Sequence, residues 1–139
     1  MSTSAVAWAG VTIDSAAPDR LAAFWSALLG VPSRPAGPGR EGWFRLGPTV
    51  AGGPVLNFQP VGEAKAGKVR IHLDLWCDDL DAAVRRVGEL GGRAPRGYEA
   101  VPGRGTIAVV ADPEDHEFCL ISAERSTPSS PPAGGDREP

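Results

Sequence analysis

The sequence predicts an α+β fold of two βαβββ modules that pair into one curved mixed sheet around a cleft, with one helix behind each module. Two observations predict this fold class. Each half of the chain contains a short alternating segment, an amphipathic helix pattern and further short β-like segments, in that order. Units of this size cannot each bury both faces of a sheet alone, so the repeat favours two modules that share a core.

The repeat divides the 139 residues into two modules and a tail. Residues 1–62 form the predicted first module and residues 63–123 the second, because a polar connection separates the two patterns. Residues 124–139 contain Ser, Pro, Gly and charged residues without a large apolar side chain. This composition is typical of a disordered tail.

Composition and charge exclude several classes of partner. The net charge is −3 and the arginines are scattered along the chain, which argues against nucleic acid. No apolar run reaches membrane-spanning length, and no signal-peptide pattern opens the chain, so we expect a cytoplasmic protein. Cys77 and Cys119 are far apart in sequence and are expected to be free thiols in that compartment.

In the first module, alternation over residues 8–14 predicts a strand. A helix follows, with Pro18 in its first turn, Gly30 after its end, and an apolar stripe of Leu21, Phe24, Trp25 and Leu28. Residues 33–42 are rich in Pro, Gly and Arg and are predicted to be a loop. Strands are expected over residues 43–46 and 55–59.

The second module opens on the most informative segment, residues 68–79, which alternates throughout. One face is apolar and comprises Val69, Ile71, Leu73 and Leu75, whereas the other comprises Arg70, His72, Asp74 and Trp76. We predict a strand whose apolar face covers the core and whose polar face borders the cleft. A helix capped by Asp78 or Asp79 follows. Strands are then expected over residues 93–98, 106–111 and 116–122, with a tight turn at 112–115.

The two halves can be aligned segment by segment. Residues 11–14 line up with 71–74, which matches Thr12 with His72. Residues 53–58 line up with 115–120, which matches Val55 with Glu117.

The paired βαβββ arrangement resembles the vicinal oxygen chelate superfamily, and most closely its glyoxalase-like branch. The resemblance rests on the helix "DRLAAFWSALLG", the block "HLDLWCDDLDAAVRRVGELGG" and the ending "VVADPEDHEFCLI", and it extends to Ala123. The superfamily includes isomerases, extradiol dioxygenases, epimerases, thiol transferases acting on fosfomycin and metal-free drug-binding proteins. The resemblance therefore implies small-molecule chemistry without specifying the reaction.

The resemblance also implies a metal site, because in this superfamily the first and last strands of each half each supply one ligand. The second half then supplies His72 and Glu117 as catalytic and metal-binding residues for one divalent Zn, Ni, Fe or Mn ion. The first half supplies Thr12 and Val55, which are not ordinary ligands, so half of the set is missing. The alternative is a site without metal, in which His72 and Glu117 form a hydrogen-bonded acid–base pair.

Further side chains are expected to border the cleft and bind substrate. Trp43 and Trp76 are candidate aromatic walls. The polar candidates, assigned by alternation, are Asn57, Gln59, Asp74 and Cys119. An amide oxygen of Asn57 or Gln59 could add a weak metal ligand, and Asp74 could instead pair with an arginine such as Arg70.

Three functions stay open at this point, and no sequence feature selects the last of them, a small association module that uses the cleft or an edge strand. The first is an enzyme of the lyase, isomerase or oxygenase class that acts on a small organic molecule in the cleft. The second is a metal-free protein that sequesters a drug-like or aromatic ligand between Trp43 and Trp76. Because the superfamily builds its clefts within one chain or between two chains, a homodimer is a further expectation.

Overall fold

The structure is a computed structural model that describes residues 5–48, 50–94 and 97–123. The chain divides between Lys65 and Ala66 into two compact units, and each unit has one four-stranded mixed sheet. Within the described residues, each unit also has one helix and runs in the order βαβββ. The α+β fold and its two βαβββ modules are therefore confirmed.

Unit 1 contains the first five elements. They are β1 (Gly10–Ser15), α1 (Pro18–Leu29), β2 (Ser33–Pro35), β3 (Phe44–Leu46) and β4 (Val55–Pro60). The strand order is β1-β4-β3-β2, in which β1 and β4 are parallel and the other pairs are antiparallel.

Unit 2 repeats this arrangement. Its elements are β5 (Asp74–Cys77), α2 (Leu80–Glu89), β6 (Tyr98–Val101), β7 (Gly105–Ala111) and β8 (Glu117–Ala123). The strand order is β5-β8-β7-β6, in which β5 and β8 are parallel.

Helix α1 begins and ends where its sequence predicts. Pro18 occupies the start, where a missing N–H costs no helical hydrogen bond. Gly30 adopts φ 71°, a left-handed conformation, and its N–H donates to the Ser26 carbonyl at 2.8 Å. The predicted stripe is largely buried, since Leu21, Phe24 and Trp25 are all at most 4% exposed.

Helix α2 resolves the choice between two predicted caps. The Asp79 carboxylate accepts a hydrogen bond from the Ala82 N–H at 3.0 Å, so Asp79 is the N-cap. Leu80 and Val87 are buried against the sheet. Beyond the helix, the Gly92 N–H donates to the Val87 carbonyl at 2.8 Å.

The strand register assigns residues of unit 1 to the two faces of its sheet. Ile13 and Phe58 are Cα partners, are buried, and lie on the face that α1 covers. The alternate residues lie on the opposite face, because neighbouring side chains along a strand point to opposite sides. A row of successive Cα partners crosses that open face: Thr12, Asn57, Arg45 and Arg34.

Unit 2 has the same division between a helix-covered face and an open face. Leu120 and Ala108 are Cα partners, and both are buried on the side of α2. Asp74, Cys119 and Val109 are successive partners on the opposite face.

The register corrects the alignment of the two halves by two residues. Asn57 pairs with Thr12, and the equivalent Cys119 pairs with Asp74. Thr12 therefore corresponds to Asp74, and Gly10 rather than Thr12 corresponds to His72. The prediction that matched Thr12 with His72 was wrong, because it aligned the two strands on local sequence, whereas their pairing with β4 and β8 sets the correspondence.

The predicted strand over residues 68–79 is the largest departure from expectation. Only Asp74–Cys77 is strand, residues 70 and 71 are bends, and the Ile71 side chain is 77% exposed instead of covering the core. The reason is the length of the neighbouring strand, since β8 begins at Glu117 and offers no partner to residues before His72.

Two other strand boundaries also differ. Residues 33–35 were predicted to be a loop, but they form β2 and pair with β3. The strand expected over residues 93–98 instead spans Tyr98–Val101, and Arg93 contributes only an isolated bridge to Ala111. The turn at residues 112–115 is confirmed by a hydrogen bond from the Asp115 N–H to the Asp112 carbonyl. The predicted disordered tail, residues 124–139, lies outside the described residues.

Candidate functional site

The open face of unit 2 brings together three potential metal ligands. Asp74 begins β5, Cys119 is its Cα partner in β8, and His72 lies two residues before Asp74. The ligand atoms of His72, Asp74 and Cys119 all lie within 4.8 Å of one another. His72 and Asp74 are exposed, and Cys119 is half-buried, so the cluster is accessible from solvent.

The Asp74 carboxylate has a basic side chain beside each of its oxygens. His72 Nε2 lies 3.4 Å from Oδ1, and Arg104 Nη2 lies 3.5 Å from Oδ2. Arg104 belongs to the turn between β6 and β7. The predicted arginine partner of Asp74 is therefore Arg104 rather than Arg70.

Burial and charge keep the Cys119 thiol protonated. Desolvation raises the pKa of this thiol above its usual range, and the charge of Asp74 and a hydrogen bond to Asp74 raise it further. Arg104 and Lys68 lower it by smaller amounts. A raised thiol pKa is the opposite of what a nucleophilic cysteine needs.

Glu117, the other predicted ligand, lies close to this cluster. His72 and Glu117 line the same small cavity of about 70 Å³, together with Cys119. The Glu117 Oε1 atom accepts a hydrogen bond from the Val69 N–H at 3.4 Å. A cavity of this size holds an ion or water rather than an organic substrate, since ligand pockets are usually about 300–1,000 Å³.

The cluster contains donor types that divalent metal ions prefer. Imidazole nitrogen, carboxylate oxygen and thiolate sulfur are all zinc ligands. The 3.4 Å separation of His72 Nε2 and Asp74 Oδ1 matches the edge of a tetrahedron with bonds of about 2.1 Å. A bound ion also deprotonates a coordinating thiol, which overrides the raised pKa of Cys119.

The structure places the remaining predicted residues on both units. Trp76 is the Cα partner of Ile121 and is 65% exposed on the same face as Asp74. Trp43 and Gln59 belong to unit 1, where Gln59 is half-buried beside Asp14. The Arg40 guanidinium lies 4.4 Å from the centroid of the Trp43 ring.

Asn57 borders a larger cavity in unit 1 that sequence analysis did not find. This cavity of about 380 Å³ is bordered by strand residues and by the loop residue Arg40. The strand residues are Gly10 and Thr12 of β1, Arg45 of β3, and Val55 and Asn57 of β4. Arg45 Nε donates a hydrogen bond to Asn57 Oδ1 at 3.3 Å. No local pattern marks the two arginines, because they come together only through the pairing of β3 with β4.

Comparison with known families identifies the class of protein. A family model described as a Glyoxalase-like domain matches residues 10–121, so the chain belongs to this family. No curated protein matches the chain. Among the described residues, no helix is long and apolar enough to cross a membrane.

Solved structures share the fold at low sequence identity. A glyoxalase/bleomycin resistance protein/dioxygenase family enzyme from Burkholderia phytofirmans PsJN is 16% identical with a TM-score of 0.67, over 83% of this chain and 97% of that chain. A mutant of the fosfomycin resistance protein FosX from Listeria monocytogenes, complexed with Mn(II) and 1S,2S-dihydroxypropylphosphonic acid, is 14% identical with a TM-score of 0.67, over 88% and 91%. FosX from Mesorhizobium loti is 19% identical with a TM-score of 0.60, over 86% and 92%. The family match over residues 10–121, together with this shared fold, confirms the resemblance to the glyoxalase-like branch of the vicinal oxygen chelate superfamily.

Proposed function

We propose that this protein is a small-molecule enzyme of the lyase, isomerase or oxygenase class, and that unit 2 holds one divalent metal ion. The observation that carries the proposal is the convergence of His72, Asp74 and Cys119 ligand atoms within 4.8 Å. The Mn(II) in the FosX mutant, a protein of the same fold, adds support. Glu117 borders the proposed site, as it shares a cavity with His72, and the three ligands leave one tetrahedral position for a substrate oxygen.

The donor set favours zinc among the four candidate metals. Thiolate and imidazole are softer ligands than the oxygens that manganese prefers, and zinc accepts sulfur, nitrogen and oxygen together. Arg104 contacts Asp74 Oδ2, whereas His72 lies beside Oδ1. Asp74 can therefore ligate through Oδ1 while Arg104 orients the carboxylate through the other oxygen.

When bound, the ion supplies a Lewis acid that polarises a substrate oxygen. The chain supplies the surroundings of that oxygen. Glu117 offers a carboxylate that can accept a proton from a bound molecule. Trp76 offers an exposed aromatic surface on the same face of the sheet, suited to the apolar part of a small organic molecule.

Metal analysis of the full chain, purified without chelator and then incubated with Zn, Ni, Fe or Mn, tests this proposal. We expect about one zinc ion per chain and a loss of metal affinity of about tenfold or more in His72→Ala and Cys119→Ser. His116→Ala is the matched control, because it removes a histidine outside the cluster. The metal proposal fails if wild type binds no ion stoichiometrically, or if His116→Ala loses as much affinity as His72→Ala.

A metal-free ligand-binding protein is the second candidate, and the contacts of Asp74 favour it. His72 and Arg104 each lie beside one oxygen of this carboxylate, so side chains of unit 2 satisfy both oxygens. In this case small aromatic compounds should quench tryptophan fluorescence in chelator-treated protein, and Trp76→Ala should abolish the effect. Trp8→Ala is the control, because Trp8 is 83% exposed and precedes the first strand. Quenching that survives Trp76→Ala would count against this candidate.

The assembly and location of the protein stay predictions. We expect a small-molecule partner, no nucleic acid or membrane partner, a homodimer and a cytoplasmic location. Light scattering of the full chain tests the dimer, since a monomeric mass at all concentrations would contradict it.

A further inference from the structure

The open face of unit 1 is rich in hydrogen-bond donors and positive charge. Thr12, Asn57, Arg45 and Arg34 form one row of Cα partners across all four strands. Partners in such a row point to the same side of the sheet, so the two arginines face solvent together. The loop between β2 and β3 adds a third arginine, Arg40, at the same cavity as Arg45.

These arginines have no acidic partner in the described part of the chain. Its ion pairs use other cations, and Arg34 and Arg45 are directly opposite each other in β2 and β3. Like charges in directly opposed positions destabilise a strand pair. A group of arginines that repel one another and lack counter-charges favours the binding of an anion.

The nearest acidic side chain in sequence, Glu41, is already engaged. Its carboxylate accepts a hydrogen bond from the Gly39 N–H at 3.1 Å. Backbone N–H groups of Glu41 and Gly39 hold the pKa of this carboxyl below its usual range. Glu41 therefore serves the loop and leaves the Arg40 guanidinium free of a carboxylate.

Arg40 is held in place by its own loop. Its guanidinium lies 4.4 Å from the Trp43 ring centroid, within the range of a cation–π interaction. The Arg40 N–H donates to the Gly37 carbonyl at 3.1 Å, and the Arg40 carbonyl accepts from the Trp43 N–H at 3.0 Å. These contacts reduce the conformational entropy that Arg40 would lose on binding a ligand.

Arg45 is oriented by a strand neighbour. Its Nε atom donates to Asn57 Oδ1 at 3.3 Å, and this bond leaves the two terminal nitrogens available. Gly10 leaves space beside Asn57, because an added Cβ would lie 3.3 Å from Asn57 Nδ2 and 2.7 Å from the Val55 carbonyl oxygen. The corresponding residue of unit 2 is His72.

We propose that unit 1 binds a small organic anion, through a carboxylate or phosphate group, in the cavity of about 380 Å³ that Arg40 and Arg45 line. Guanidinium groups bind both kinds of oxyanion through paired hydrogen bonds. No carboxylate lines the cavity, and its volume suits a small ligand. The chain as a whole carries a net charge of −3, so these arginines are not part of a generally basic surface. The proposal goes beyond the metal site, since it uses no residue of unit 2.

Calorimetric titration of metal-free full chain, dialysed free of chelator, tests the proposal with inorganic phosphate and succinate at constant ionic strength. We expect at least one of them to saturate a single site with a Kd of about 1 mM or tighter. Arg40→Gln and Arg45→Gln should each weaken binding by about tenfold or more. The control, Arg20→Gln, removes the same charge from α1 and should change the Kd by less than about twofold. The better probe identifies the chemical group, phosphate or carboxylate.

Three results would overturn the proposal. The first is that neither anion saturates a site with a Kd below about 10 mM. The second is that Arg20→Gln weakens binding as much as Arg45→Gln. The third is a single-stranded oligonucleotide that binds tighter than both anions with the same dependence on Arg45, which would make this face a nucleic-acid surface. Should Arg45→Gln not fold, Arg40→Gln carries the test, because Arg40 lies on an exposed loop.

Discussion

The two units share a strand register and a helix position, yet the side chains on their open faces differ in type. Where unit 1 has the Cα partners Thr12 and Asn57, unit 2 has Asp74 and Cys119 at the equivalent positions. The third position in the row is Arg45 in unit 1 and Val109 in unit 2. The helix-covered faces remain apolar in both units. The comparison teaches that packing against the helix constrains one face of each sheet, whereas the other face is free to acquire different ligands.

Substitutions in the core test whether the stability of both units depends on the helix-covered face. Phe58 and Phe118 are both fully buried. We expect Phe58→Ala and Phe118→Ala each to lower the free energy of unfolding by about 3–5 kcal/mol, because each leaves a large cavity. Urea denaturation of the full chain measures both values. A loss below about 1 kcal/mol at either position would contradict an equal role for the two faces.

The turns before β4 and β8 differ in the groups that make their hydrogen bonds. The buried Asp112 carboxylate accepts hydrogen bonds from the N–H groups of Glu114 and His116 at 2.9 and 3.0 Å. Asp112→Ala should cost about 2–3 kcal/mol of stability, because these donors lose their acceptor. At the equivalent turn of unit 1, the Gly53 N–H donates to the carbonyl of Val50, whose side chain is 63% exposed.

Val50→Ala is therefore the matched control for the turn. It should change the free energy of unfolding by less than about 0.5 kcal/mol, since the bond to Gly53 uses backbone atoms only. Thermal unfolding by circular dichroism measures both variants. Equal losses in the two turns would argue against a special role for the Asp112 side chain.

The helix starts differ in a way that predicts a smaller effect. Asp79 caps α2 with its side chain, whereas Ala17 occupies the cap position of α1 without a side-chain hydrogen bond. Asp79→Ala should cost about 1 kcal/mol. Ala17→Gly removes no cap and should cost clearly less, as judged by the urea midpoints of both variants. A larger loss from Ala17→Gly would reverse the expected order.

The smallest expected effect concerns the thiols of unit 2. Burial raises the pKa of Cys77 and of Cys119, but the charge of Asp74 contributes only to Cys119. Asp74→Asn should lower the pKa of Cys119 and increase its thiolate fraction, so iodoacetamide should alkylate it about two- to fivefold faster at pH 7.

Peptide mass spectrometry distinguishes the two cysteines in this experiment. Asp78→Asn is the control, because the charge of Asp78 raises the pKa of Cys77. Asp78→Asn should increase the alkylation rate of Cys77 and leave that of Cys119 unchanged. An unchanged Cys119 rate in Asp74→Asn would show that the carboxylate does not act on this thiol.

Sequence analysis succeeds here where the signal is local. The stripe of α1, with Pro18 at one end and Gly30 at the other, identifies that helix without any tertiary information. Alternation also assigns Asp74 and Cys119 to the polar face, which the register supports. The repeat then predicts two βαβββ modules, because both helices follow a strand and precede three more.

Sequence analysis fails where structure depends on a distant partner. Ile71 continues an alternating pattern, but β8 is too short to pair with it, so it is exposed. Strand β2 has only three residues and no apolar pattern, and it exists because it pairs with β3. Arg40 and Arg45 look scattered in sequence, and only the sheet brings them to one cavity.

Amide NMR spectra of the full chain, titrated separately with zinc and with phosphate, test the contrast between the two open faces most directly. Zinc should shift the amides of His72, Asp74 and Cys119, while phosphate should shift those of Gly10, Thr12 and Asn57. Each set should respond to its own probe alone. Zinc and phosphate shifting the same amides, or neither probe giving a saturable change, would contradict the account.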